Sequence, residues 1–159
     1  MLIKKQVRTG LSVVLCALAF GAAGADAASL SSKEASVLGE MNAVRAAHGL
    51  RPLAVDTNLV RAARAHSTTL MRRNAFTHGA LGSRLDRYGV RGPIFGENLA
   101  WGVGSLGSAH SIVRAWLGSP GHRANLLRPG FRRIGVGTRV GSFLGHGGAT
   151  VVTADFAGR

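Results

Sequence analysis

His78, Glu97 and His122 are the residues of this 159-residue chain whose types could do chemistry together. Two imidazoles and a carboxylate form a donor set for zinc or another divalent metal, leaving a fourth position for water or substrate. Water held there would be acidified enough to act as a nucleophile near neutral pH. The three residues lie in separate segments and lack the one-helix H-E-x-x-H spacing, so ligation would depend wholly on tertiary folding. Without a metal, the same set would form a hydrogen-bonded network that stiffens a cleft.

Each residue has a telling context. Glu97 is flanked by Phe95, Leu99 and Trp101, and a carboxylate buried among such neighbours must be paired, hydrogen-bonded or bound to a cation. His78 follows Phe76 on the loop that leaves a helix. His122 and Arg123 stand at the lip of the Ser119-Pro120-Gly121 turn inside Trp116–Leu127, a loop scaffolded by packed segments on both sides. His66 shares an apolar helix face with Leu59, Ala63 and Leu70, and reads as a core histidine bonded to a neighbouring loop. His146, in the glycine-rich run 141–148, reads as a solvated loop residue. Ser67 and Ser119 lie near these groups, but neither sits in a G-x-S-x-G elbow.

The elements that must position these groups are legible in outline. Residues 31–48 have helical periodicity, with Val37, Met41, Val44 and His48 on one stripe and Ser31 with Glu34 as a capping box. Gly49 ends that helix, and Arg51-Pro52-Leu53 runs extended. Asp56 starts a second helix to about Asn74. Residues 82–89 form a short helical turn with Leu85 and Tyr88 inward. The run Gly102–Gly107 is a flexible loop, and its likeness to a dinucleotide fingerprint lacks the strand and helix that would give it meaning. Ser108 caps a third main helix through Trp116. Residues 134–140 and 149–156 are β-branched strands joined by the glycine-rich run as their hairpin loop. Helices first and paired strands last predict an α+β domain in layers on an antiparallel sheet.

Residues 1–27 are expected to be a cleavable signal peptide, with residues 28–159 as one domain. Lys4, Lys5 and Arg8 precede an apolar run from Leu11 to Phe20, and Ala25-Asp26-Ala27 fits the signal-peptidase pattern. The run is too short for the ~20 residues of a spanning helix, so no transmembrane anchor is expected after cleavage. Export to the periplasm or outside the cell follows. Cys16 is the only cysteine and lies in the leader, so neither disulfides nor thiol chemistry is expected in the domain. The chain carries a net charge of +13, and sixteen arginines with Lys33 remain after the leader. Such a surface attracts anionic envelope polymers. Nucleic acid fits poorly, because the few aromatics are not interleaved with the arginines as stacking platforms.

The ordered motifs narrow the reading. They are Asn42-x-x-Arg45-x-x-His48-Gly-Leu-x-Pro-Leu53, Ala63-x-x-His66-Ser67, Phe76-Thr-His78, Gly96-Glu97-Asn98-Leu-Ala100, the stretch Trp116–Leu127 and Ile134-Gly-Val-Gly137. Together they resemble the bacterial branch of the CAP superfamily, also called the SCP or sperm-coating-protein-like extracellular domain. The resemblance implies a three-layer α-β-α sandwich with a central antiparallel sheet and an open cleft. It also implies a cleft of two His and two Glu able to hold zinc or another divalent ion. His78, Glu97 and His122 match three of that set, with His66, Asn98, Arg123 and Asn125 supporting the cleft. The second Glu would fall near Ser119, and no acidic residue stands between Glu97 and His122. An extracellular binding module for a lipid, glycan or protein ligand is therefore expected. A metal-assisted hydrolase acting on peptide or cell-wall bonds is the alternative.

Overall fold

A computed structural model describes residues 29–158. The expected signal peptide, residues 1–27, lies outside the described residues. The elements run in chain order as α1 (Ser32–Ala47), β1 (Ala54–Val55), α2 (Thr57–Arg73), α3 (Leu81–Arg87), β2 (Phe95–Val103), α4 (Ala109–Gly118), α5 (Pro120–Leu126), β3 (Phe131–Phe143) and β4 (His146–Gly158). A single 3-10 turn over Gly104–Gly107 joins β2 to α4.

Helix starts follow the local chemistry. Ser31 and Glu34 close the capping box of α1, the Asp56 carboxylate accepts from the amides of Asn58 and Leu59, and Ser108 Oγ accepts from Ser111. One inward-facing position of α1 differs from the sequence expectation. His48 is exposed at the end of α1, and Arg45 takes the inward position instead, fully buried. Its guanidinium donates to the carbonyls of Arg51, Leu126, Arg128 and Phe131, tying α1 to the end of α5 and the start of β3.

The strand order is β1-β3-β4-β2. The three long strands are antiparallel as expected, and two-residue β1 adds a parallel edge at Arg133 and Ile134. Alternation along β4 sorts the core into two faces. Val152, Ala154 and Phe156 join Val37, Met41, Ile112, Val113 and Trp116 in one cluster, under α1, α4 and α5. Ala149, Val151 and Ala157 pack on the other face with Leu70 and Leu59 of α2 and Leu85 of α3. The result is a three-layer α-β-α sandwich.

The glycine-rich run is not the loop the sequence suggested. β3 continues to Phe143 and β4 begins at His146, leaving only Leu144 and Gly145 at the turn, both at positive φ (48° and 83°). That is a two-residue hairpin turn whose twist suits the flanking strands. Asn74 accepts the Leu144 amide at 2.5 Å. His146 is thus a strand residue, and its ring lies 5.5 Å from that of Trp101.

Candidate functional site

Glu97 is the hub of the site. It sits on β2 directly opposite Asp155 of β4, on the sheet face that α2 and α3 cover. Its side chain is buried, as its apolar flanks required. His78 Nδ1 donates to Glu97 Oε1 at 2.7 Å, and Arg84 of α3 donates to Glu97 Oε2. The same Arg84 nitrogen reaches Asp155 Oδ1 at 3.3 Å, and a further Arg84 nitrogen donates to the His78 carbonyl. One guanidinium therefore serves two carboxylates and the histidine loop.

His66 stands behind this group from α2. Its Nε2 meets the Thr77 carbonyl at 3.1 Å and lies 3.6 Å from Glu97 Oε2. The carbonyl can only accept, so Nε2 carries the proton. Burial first, then the Arg84 charge, lower its pKa to about 4, so the ring is neutral at physiological pH. It is the core histidine bonded to a loop that its helical position predicted.

His122 sits in the first turn of a seven-residue helix, α5, rather than on a turn. Pro120 at the first helical position, after extended Ser119, turns the stretch helical immediately. Desolvation and then the His78 imidazole hold its pKa below the ordinary histidine value. Two amides dock α5 on the sheet. Asn98 donates to the His122 carbonyl at 2.9 Å, and Asn125 donates to the Glu97 carbonyl and to Asn98 Oδ1. Arg123 points elsewhere: it is exposed and lines a groove with Leu117, Ala124 and Leu127. Ser119 starts α5 without a side-chain cap bond.

The fit to a metal can be tested on this geometry. Glu97 Oε1 is engaged by His78 and Oε2 by Arg84, so a cation would meet a carboxylate already neutralised by a guanidinium. Among the described residues, no group of three His, Cys, Asp or Glu side chains converges as a metal site. In this arrangement the set of His78, Glu97 and His122 does not fit a divalent ion. What the arrangement does offer is one oriented imidazole. Glu97 fixes His78 with Nδ1 as donor, leaving Nε2 on a mostly exposed ring to meet solvent or ligand.

Arg84 and Asp155 escape the sequence reading. Asp155, in ATVVTADF, lies between apolar neighbours just as Glu97 does, and the same burial rule would have singled it out. Arg84 carries no local signal among the seventeen arginines of the chain.

An α+β sandwich domain with a carboxylate-anchored, mostly exposed histidine is the class that fold and site define. The family model for the CAP domain, the cysteine-rich secretory protein family, matches residues 38–156. The uncharacterized protein YkwD of Bacillus subtilis (strain 168) is 39% identical over 114 residues, covering 69% of this chain and 43% of that protein. The crystal structure of an extracellular protein containing an SCP domain from Bacillus anthracis str. Ames aligns with a TM-score of 0.70 and 30% identity, over 80% of this chain and 40% of that one. An outer surface protein of Borrelia burgdorferi shares the fold with a TM-score of 0.68 at 22% identity, over 82% of this chain and 96% of that one. The chain belongs to the cysteine-rich secretory protein (CAP) family. It spans less than half the length of the curated relative named here.

Proposed function

We propose that the protein is an exported CAP-domain binding module, secreted or periplasmic, whose cleft engages a lipid, glycan or protein ligand of the cell envelope. One observation carries this reading: both oxygens of Glu97 are bound by the protein's own donors, His78 and Arg84. A carboxylate committed in this way organises a cleft and is poorly placed to activate water. Among the described residues, no serine, threonine or cysteine side chain hydrogen-bonds to His66, His78 or His122, so a histidine-activated nucleophile lacks its partner. Relatives described as extracellular or outer-surface proteins support export, as does the leader-like start of the chain. No helix among the described residues is long and apolar enough to cross a membrane.

The test is saturable binding of the purified protein to separated envelope lipids, glycans and wall fractions. His78→Ala is expected to weaken that binding about tenfold, by removing one well-placed polar contact, and to lower stability by about 1–3 kcal/mol, because buried Glu97 Oε1 loses its donor. Absence of saturable binding to every fraction sinks the proposal. A calorimetric zinc titration decides the metal-assisted hydrolase alternative. Uptake at micromolar zinc that vanishes in His78→Ala and His122→Ala would mean that Arg84 releases Glu97, and would favour catalysis over binding.

A further inference from the structure

The geometry points to a binding site for a phosphate group in the groove between α2 and α3, lined by Arg72, Arg73, Arg84 and Arg87. The groove encloses about 380 Å³, and no aspartate or glutamate lines it. Arg84 is held by Glu97 and Asp155, but its Nε is buried with no hydrogen-bond partner among the described residues. Arg72, Arg73 and Arg87 are exposed, and among the described residues no carboxylate lies within ion-pair distance of them. The domain's other exposed and half-exposed arginines do find carboxylates in several places: Arg64 on Glu34, Arg91 on Asp86, Arg133 on Asp56. Here three unpaired guanidinium groups share one concavity.

Helix geometry explains part of this and leaves the rest. Cations in the last turn of α2 complement its carbonyl end, which accounts for Arg72 and Arg73. The same complement applies to Arg87 in the last turn of α3, but it does not explain why the two helix ends bring their arginines to one groove. Like charges brought together repel, and a bound anion removes that cost. A phosphate suits the set better than a carboxylate, because it carries up to two charges and three oxygens for planar, bidentate guanidinium contacts. Thr69 and Ser83 add hydroxyls to the wall, and the half-buried Tyr88, with Arg61 stacked 5.5 Å from its ring centre, gives a flat side. The volume suits a phosphate on a glycerol- or sugar-sized group. The groove borders the His78 loop, since Thr77 and Gly79 line it, and the proposal rests on the binding-module reading, for which it names the ligand chemistry.

Calorimetric titration with inorganic phosphate and with glycerol 3-phosphate tests it. Three forms of the full chain are compared: wild type, Arg72→Gln/Arg73→Gln/Arg87→Gln, and the charge-matched Arg51→Gln/Arg114→Gln/Arg139→Gln, altered at exposed arginines elsewhere. One saturable site is expected, weakened about tenfold or more in the groove variant and unchanged in the control, since charge-assisted contacts are lost only in the former. Equal losses in both variants would reduce the effect to diffuse charge and overturn the site. So would the lack of saturable binding by wild type up to millimolar glycerol 3-phosphate. Co-sedimentation with phosphatidylglycerol vesicles separates the sources. Vesicle binding lost in the groove variant and competed by glycerol 3-phosphate assigns a lipid headgroup. Soluble binding without co-sedimentation assigns a free or polymer-borne phosphate. Envelope binding that survives intact in the groove variant overturns the groove alone and leaves the binding-module reading standing.

Discussion

Two carboxylates facing one guanidinium cannot both ionise freely in a buried site. Burial pushes Asp155 up to about 8, with Arg84 opposing the rise and Glu97 adding to it, and burial raises Glu97 as well against the pull of Arg84. The pair therefore holds one proton at neutral pH. A group with a raised carboxyl pKa binds more protons folded than unfolded, so its contribution is present at low pH and is lost as pH rises through the folded value. His66 acts in the opposite direction, since its pKa falls to about 4 and stability grows as pH climbs from there to the ordinary histidine range. Above about pH 6.5 only the carboxylate effect remains. Urea unfolding of wild type is expected to lose ~2 kcal/mol between pH 6.5 and 8, whereas Asp155→Asn, permanently neutral and nearly isosteric, should give a flat profile. A flat wild-type profile would refute the shared proton. The half of this site that was legible, Glu97, was read from its apolar flanks. The other half needed the pairing of β2 with β4, which no local pattern encodes, because register joins segments more than fifty residues apart in sequence.

At the scale of elements, the tightest constraint is the docking of α2 on β3. A Cβ placed on Gly135 would lie 2.0 Å from the Leu59 carbonyl carbon, and one on Gly137 would lie 2.2 Å from the Arg64 amide nitrogen. Backbone meets backbone there, and neither can yield as a side chain would. Gly135→Ala is expected to cost about 3 kcal/mol, at the upper end for overpacking, with a correspondingly lower unfolding midpoint. Gly39 is exposed in the middle of α1 with no atom within 4 Å of its ideal Cβ. The same substitution there is expected to stabilise by about 0.5–1 kcal/mol, because alanine has the better helix propensity. Chemical denaturation of both variants checks the contrast, and a neutral Gly135→Ala would mean that α2 rides less closely on the sheet. The alternation Ile134-Gly135-Val136-Gly137 announced a strand in the sequence. Which helix its glycine side receives was invisible, because the partner backbone of α2 lies far earlier in the chain. The hairpin beyond departs from its local pattern for a related reason. Glycines that looked like loop material pair in the ladder, and the turn is set partly by Asn74 from a distant segment.

For the whole molecule, Glu34 joins the layers at a point where the sheet would otherwise end open. β1 covers β3 only at Arg133 and Ile134, so farther along β3 is an edge with backbone donors facing outward. Glu34 Oε1 accepts the Thr138 amide at 3.2 Å, while the carboxylate also receives the Ser31 amide and two bonds from Arg64 of α2. A buried acid at the start of α1 thus caps its helix, satisfies a sheet edge and reaches the opposite helical layer. Only the first of these roles was legible in the sequence, from the Ser31–Glu34 spacing. Blocking an edge with a charged group also discourages pairing with another chain. Burial alone would raise the Glu34 pKa, but the Arg64 hydrogen bond and the Ser31 amide outweigh it and hold the carboxyl below its usual range. Stability from a depressed carboxyl is present above the unfolded-state value and is lost as pH falls through the folded one. Glu34→Gln keeps the shape and removes the charge. It is expected to cost about 2 kcal/mol at pH 7, the worth of charge-assisted bonds set against neutral ones. The gap to wild type should hold from neutral pH down to about 5 and then close as the wild-type carboxyl protonates. Because His66 and the Glu97–Asp155 pair titrate alike in both proteins, subtracting the two urea series isolates Glu34. A gap that persists unchanged well below the ordinary carboxylate range would show that the joint depends on shape alone and not on the charge.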